Sequence, residues 1–211
     1  MELQARGFQV VGVDSDEEII ARAQERGAPV VRATWPAFET DAVDAIAFTR
    51  SLHHIHPLPA AVSRAREVLQ PSGTLLVDDF AFDEADSATI NWFMRVLDSR
   101  TARELIASTP DEFVTRLLAS RDPVAAWYQD HDHELHTAAA MEQAVSRCFS
   151  IRHTQSVPYI YRYLVPVLPE TPEAARFVEA IFKDEARLGK RGELTLIGRR
   201  IVGSLRVAGS M

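Results

Sequence analysis

The sequence predicts an α/β domain, a mostly parallel sheet flanked by helices, with a helical insertion late in the chain. Three observations carry this. Short apolar, β-branched runs alternate with amphipathic stretches over residues 8–80, and that order gives parallel strands joined by right-handed crossovers. Capping residues and glycine stops fall where the periodicity changes. From about residue 83 to residue 148 the alternation gives way to helical patterns alone.

The totals bound the problem. A chain of 211 residues suits one domain, 1–211, with a sizeable core. Hydrophobic residues make up 46% and charged residues 25%, as in soluble globular proteins. A net charge of −7 argues against nucleic acid as a partner, because phosphate-backbone affinity comes from clustered Lys and Arg. Gly198-Arg199-Arg200 is too short a basic cluster to change that. Cys148 is the single cysteine, so no internal disulfide can form and the cytoplasm is the expected compartment. No apolar stretch reaches the length of a membrane span. Met1 to Gly7 lacks the basic and apolar regions of a secretory signal.

Taken in order, Met1 to Arg6 reads as the last turns of a helix that Gly7 ends. Phe8 to Val13 is a short strand stopping at Asp14. A helix follows at once, with Ser15-x-x-Glu18 in capping-box form, Ile19, Ile20 and Ala23 inward, and Gly27 as its stop. Pro29 to Ala33 and Val43 to Thr49 are the next strands, the latter apolar enough for a buried parallel strand. The loop Ser51-Leu-His-His-Ile-His-Pro57 feeds a helix from about Pro59 to Leu69, then a Pro71-Ser72-Gly73 turn and a strand from Thr74 to Phe80. In the helical block, Ile90 to Leu97 is amphipathic. Thr109-Pro-Asp-Glu112 starts a helix that buries Phe113, Leu117 and Leu118, and Thr137 caps another ending near Arg147. The last third reads as a strand from Ser150 to Pro158, which the pattern allows to continue to Leu164, then a helix and a strand. That helix is capped by Thr171, with Phe177, Val178, Ile181, Phe182 and Leu188 inward; the closing strand is Leu194 to Val202.

Three motifs in this order resemble the class I S-adenosylmethionine-dependent methyltransferases, over about Leu3 to Val202. They are G-V-D-S-D at the tip of the opening strand, V-D-A-I-A-F-T-R-S-L-H-H-I, and A-R-E-V-L-Q-P-S-G-T-L-L-V-D-D-F. The resemblance implies a Rossmann-like sheet, with the helical insertion (83–148) placed after the family's fifth strand as a lid. It implies S-adenosylmethionine as methyl donor, and Asp14 as the acid that holds the donor's ribose hydroxyls, beside Ser15. Thr49, Arg50, Ser51, Leu52 and His53 fall in the loop that borders the methionine part of the donor and the transfer pocket.

Three departures accompany the likeness. No G-x-G occurs anywhere, so the family's glycine-rich loop and first strand have no counterpart. That strand lies mid-sheet, and without it two buried edges lack partners. The expectation is that the natural chain starts upstream, or that something else fills the slot; an open slot can also recruit a second copy, giving a homodimer. Second, Thr34 stands where an acid often meets the adenine amino group, with Trp35 beside it as a stacking candidate or a buried anchor. Third, the usual Pro-Gly-Gly turn is Pro71-Ser72-Gly73.

Methyl transfer asks little of the protein, because the sulfonium brings its own leaving group and positioning supplies most of the rate. A base helps when the acceptor is a hydroxyl or a protonated amine, and His53 and His54 are the candidates. Each can equally be a packing histidine. Arg50 can pair with a carboxylate of donor or acceptor, or form a surface ion pair. Of Asp78 and Asp79, at most one faces the pocket, since neighbours on a strand point to opposite faces. Asp130-His-Asp-His-Glu-Leu-His136 could ligate zinc, but its close spacing before a helix cap favours a polar lid edge, and no metal is expected. In Val157-Pro-Tyr-Ile-Tyr-Arg-Tyr163 the alternate aromatics are core-facing or line the acceptor. The expected activity is methyl transfer to a small-molecule oxygen, nitrogen or carbon. The competing readings are a non-catalytic relative kept for folding or pairing, and an NAD-dependent oxidoreductase, for which Asp14 would also suit but no Tyr-x-x-x-Lys pair exists.

Overall fold

In place of a single continuous sheet, the strands form two. The computed structural model describes residues 2–106 and 112–206. In it β1 (Gly12–Asp14) pairs in parallel with β2 (Val30–Arg32). The four-stranded sheet has the order β3–β4–β6–β5, from β3 (Val43–Thr49), β4 (Leu69–Phe80), β5 (Phe149–Val157) and β6 (Gly198–Leu205). β3 and β4 are parallel; β6 runs antiparallel to both β4 and β5. Among the described residues β1 pairs only with β2 and β3 only with β4, so each keeps one open edge. The expected buried strand is therefore exposed: along β3 only Phe48 is buried, while Asp44, Ala45, Ala47 and Thr49 face solvent. Phe8 and Val11, just before β1, are each 60% exposed.

The helices are α1 (Glu2–Ala5), α2 (Glu17–Glu25), α3 (Leu58–Val68), α4 (Ser87–Leu97), α5 (Arg100–Leu105), α6 (Glu112–Ala119), α7 (Pro123–Asp130), α8 (Ala138–Cys148) and α9 (Pro172–Lys190). Several start signals act as expected. Thr137 and Thr171 accept from the Ala140 and Ala174 amides, and Gly7 and Gly27 take φ of 89° and 75°. The cap of α2 is Asp16, whose side chain takes the Glu18 and Ile19 amides, and Ser15 plays no part in it. The Thr109-Pro-Asp-Glu112 start lies outside the described residues, apart from Glu112, the first residue of α6.

Other boundaries shift for tertiary reasons. The Pro71-Ser72-Gly73 turn survives as a bulge inside β4, because Val43 pairs with Leu69 and Ala45 with Thr74. After β5 the chain does not continue as a strand; Ile160–Val167 is a 3-10 turn, held by a buried carboxylate described below. β6 starts at Gly198, where a Cβ would sit 2.5 Å from the Val157 carbonyl oxygen, so β5 and β6 meet there only without a side chain. Leu118 and Phe182, read as inward, are 40% and 39% exposed.

Two cores flank β4. α3 and α8 pack together on one face, enclosing Phe48, Leu52, Val62, Leu75, Met141 and Phe149. On the other side α4, α6 and α7 pack around Phe93, Leu117 and Trp127, joined by Phe80, Ile160 and Ile197. α8, although contiguous with the insertion in sequence, belongs to the sheet layer. No helix among the described residues is long and apolar enough to cross a membrane.

Candidate functional site

The C-terminal tips of β3 and β4 lie side by side, because the parallel register sets Thr49 opposite Asp78. The tips bring Thr49, Arg50, Ser51, Leu52, His53, Asp78 and Asp79 into one place, as open α/β sheets do with their ligand-binding residues. Arg50 turns the chain there. Its φ of 54° is left-handed, which a non-glycine residue adopts at some cost, and its amide donates to the Asp78 carbonyl at 2.9 Å. Its guanidinium has no carboxylate partner among the described residues. Leu52 is fully buried in the core under the loop and Thr49 is exposed; His54 keeps an exposed surface although the His53 and His133 rings cover part of its ring.

Alternation along β4 divides the two aspartates. Asp78 faces Arg162 at 3.4 Å and Arg200 at 3.1 Å. Asp79 points the other way, is fully buried, and receives the amides of His53 (3.2 Å) and Phe80 (3.0 Å). Its Oδ1 also lies 2.6 Å from Nδ1 of His53, itself 5% exposed. The sequence offered His53 and the Asp78–Asp79 pair separately; what it did not show is that His53 and Asp79 meet in a buried pair.

The 130–136 run meets the loop beside this dyad through histidines. The His136 amide donates to the His53 carbonyl at 2.9 Å, and His136 Nε2 donates to the Ile55 carbonyl at 3.1 Å. His56 Nε2 donates to the Glu134 carbonyl at 2.8 Å, and the His133 ring stacks over His54. His131 is buried, with Nδ1 donating to the Trp127 carbonyl (2.7 Å) and Nε2 accepting from the Tyr163 hydroxyl (2.9 Å). Burial holds His131 and His136 below the usual histidine range. It pushes His54 down to about 4, helped by the neighbouring His53 and His133. The run 130–136 thus lies against the 51–57 loop. Tyr159 stacks flat on Phe80 at 4.6 Å, and burial followed by the Asp79 charge pushes its phenol well above its ordinary range.

The remaining sequence candidates sit on the other sheet. Asp14 ends β1; its Oδ1 accepts from the Asp16 amide at 2.9 Å, and its second oxygen has no protein partner among the described residues. Ser15 and Thr34 are exposed beside it. Trp35 links the two sheets, donating to the Ala61 carbonyl at 2.9 Å and meeting Phe48 edge-on at 5.8 Å. No strand pairing joins the Asp14 tip to the His53 tip among the described residues.

A family model described as a methyltransferase domain matches residues 1–122, which include both strand tips. The chain belongs to the methyltransferase-domain family. This methyltransferase-domain chain is similar to a solved S-adenosylmethionine-dependent methyltransferase from Mesorhizobium loti, at 15% identity, covering 92% of this chain and 79% of that one (TM-score 0.51). It is similar also to a plantazolicin methyltransferase solved in complex with S-adenosylhomocysteine (SAH): 11% identity, 97% and 70% coverage, TM-score 0.51. A solved [4+2]-cyclase shares the fold too, at 16% identity, 95% and 68% coverage and TM-score 0.50. At these identities the likeness is one of fold, and the fold alone does not fix the reaction. No curated protein matches by sequence.

Proposed function

We infer that this chain transfers a methyl group from S-adenosylmethionine to a small-molecule acceptor. The observation that carries the reading is the family match over residues 1–122, the stretch that bears both strand tips. The residues present suit the donor at its ribose end: the unpartnered oxygen of Asp14 can accept from two hydroxyls, with Ser15 and the Thr34 hydroxyl beside it. Thr49, Arg50, Ser51 and Leu52 shape the loop toward the methionine end, and Trp35 braces the wall behind. When bound, the donor supplies an electrophilic methyl on a sulfonium. The protein's part is to orient the acceptor, exclude water beneath the 83–148 helices, and receive a proton at His53 or His54.

A second reading, a non-catalytic domain, is favoured by the open edges of β1 and β3. Isothermal titration with SAH and with NAD separates the two and also tests the oxidoreductase reading. Binding of SAH alone is the expected result, and Asp14→Ala should weaken it roughly tenfold or more, the loss of a charged hydrogen bond. Silence toward both ligands leaves the non-catalytic reading standing, and unchanged SAH affinity in Asp14→Ala removes Asp14 from the site.

A further inference from the structure

We propose that His53, positioned by the buried Asp79, is the general base of this site and that the methyl acceptor is a hydroxyl. The proposal rests on the methyl-transfer reading above and names its substrate class.

The carboxylate beside His53 cannot itself face a substrate. Asp79 is fully buried, and its oxygens are occupied by the His53 amide, the Phe80 amide and Nδ1 of His53. Oδ1 and Nδ1 are 2.6 Å apart, with the ring turned off the ideal hydrogen-bond axis. Two bare lone pairs at that distance would repel, so a proton belongs on Nδ1. Nε2 is then the lone-pair nitrogen. Nδ1 is sealed from solvent and faces Asp79 without full hydrogen-bond geometry, and Nε2 has no protein hydrogen-bond partner among the described residues. The ring is fixed on its other sides by the edge of Phe80 at 4.8 Å and by His54 at 4.0 Å. The loop's own carbonyl, that of His53, is tied to the 130–136 run by the His136 amide. A buried carboxylate 2.6 Å from Nδ1, which favours the proton there, and an Nε2 with no protein partner among the described residues form the arrangement that makes histidine a base.

The surrounding charge selects the acceptor. Arg50, at the same strand tip, has no carboxylate partner among the described residues, and its charge reaches Tyr159 beside the dyad. Arg162 lies over the Tyr159 ring, 5.6 Å from its centroid. Arg162 is balanced by Asp78, so it is the Arg50 charge that disfavours an ammonium acceptor and favours an oxygen that becomes negative as its proton leaves. A neutral amine would not need the base at all. In the step, the acceptor O–H proton passes to Nε2 of His53. The oxygen's electron pair forms the O–CH3 bond as the methyl–sulfur bond breaks, with that bond's pair returning to sulfur to leave SAH. The imidazolium charge is borne beside Asp79 until the proton leaves to water.

The test has two arms. Long-range proton–nitrogen spectra of the full chain at about pH 8 should show His53 protonated on Nδ1, moving to Nε2 in Asp79→Asn. A wild-type Nε2–H tautomer overturns the dyad, and this arm needs no donor or acceptor. In the second arm, label from methyl-labelled S-adenosylmethionine is followed onto catechol and para-nitrophenol, with benzylamine and thiophenol as contrasts. Label should appear on the hydroxyl probes and fall about 100-fold or more in His53→Ala and about tenfold in Asp79→Asn. SAH affinity should hold within about twofold in both variants, under half a kcal/mol. Rates undiminished in His53→Ala overturn the base, and label confined to the amine or thiol, or absent from both hydroxyls, overturns the acceptor class. Failure of the wild-type chain to bind SAH is instead a failure of the methyl-transfer reading itself.

Discussion

His54, His131 and His136 show how single residues connect burial to pH. Each is held below its ordinary range mainly by loss of solvation, His54 down to about 4. The folded state keeps these rings neutral while the unfolded chain protonates below its ordinary value of 6.5. Their contribution to stability is therefore present above that value and is lost as pH falls below it, for His54 toward about 4. Glu185 has the opposite sign: burial raises it, so its contribution is largest below its ordinary range and declines as pH rises. Three histidines against one glutamate should leave the melting temperature falling from about pH 7 to about pH 5. The fall should be shallower in His54→Asn. Calorimetry across that range checks it, and a flat profile would contradict the neutral-histidine account. Only part of this is legible in sequence. The histidines were visible, but their ranges depend on what the 130–136 run and the 51–57 loop do to each other.

Among the elements, the 3-10 turn Ile160–Val167 depends most on one distant side chain. Glu185 of α9 accepts the amides of Tyr159 (2.7 Å), Ile160 (3.1 Å) and Tyr161 (3.1 Å) while fully buried. Those donors have no strand partner, and the carboxylate takes the place of a ladder. The alternating aromatics there mimic strand periodicity, so the sequence pattern points to a strand that the contact from α9 forbids. Glu185→Ala would leave three buried amides unpaired. We expect it to cost about 3–6 kcal/mol, a drop in melting temperature of roughly 10 °C or more for a chain of this length. Glu185→Gln, whose oxygen can still accept twice, should lose far less. Equal losses in thermal unfolding would show that the carboxylate acts only by filling space.

For the whole molecule, the division of the sheet is the governing feature. β4 and β6 are paired on both sides, whereas β1 and β2 are three-residue strands with exposed flanks. Amide exchange should therefore be slowest in β4 and β6 and fastest in β1–β2, tracking local opening free energy. SAH should slow exchange at the Asp14 tip if that tip holds the ribose. Uniform protection across both sheets would mean that the β1–β2 pair is not the weakly held unit described here.

Whereas α5 and α7 were not legible, the order of the strands, the bounds of β3, the caps at Thr137 and Thr171 and the separation of Asp78 from Asp79 could all be read from the chain. They rest on local periodicity, on side chains that reach their own amides, and on the two-residue repeat of a strand. Asp14 could be located but not surrounded, because its surroundings are set by elements distant in sequence. The open edges of β1 and β3 follow from the first strand that the sequence lacks, whereas only the tertiary structure paired Asp79 with His53 and put Glu185 under the 3-10 turn. Those outcomes depend on which buried polar group finds which partner, and partners 26 residues apart, as His53 and Asp79 or Tyr159 and Glu185 are, leave no periodic trace in the sequence.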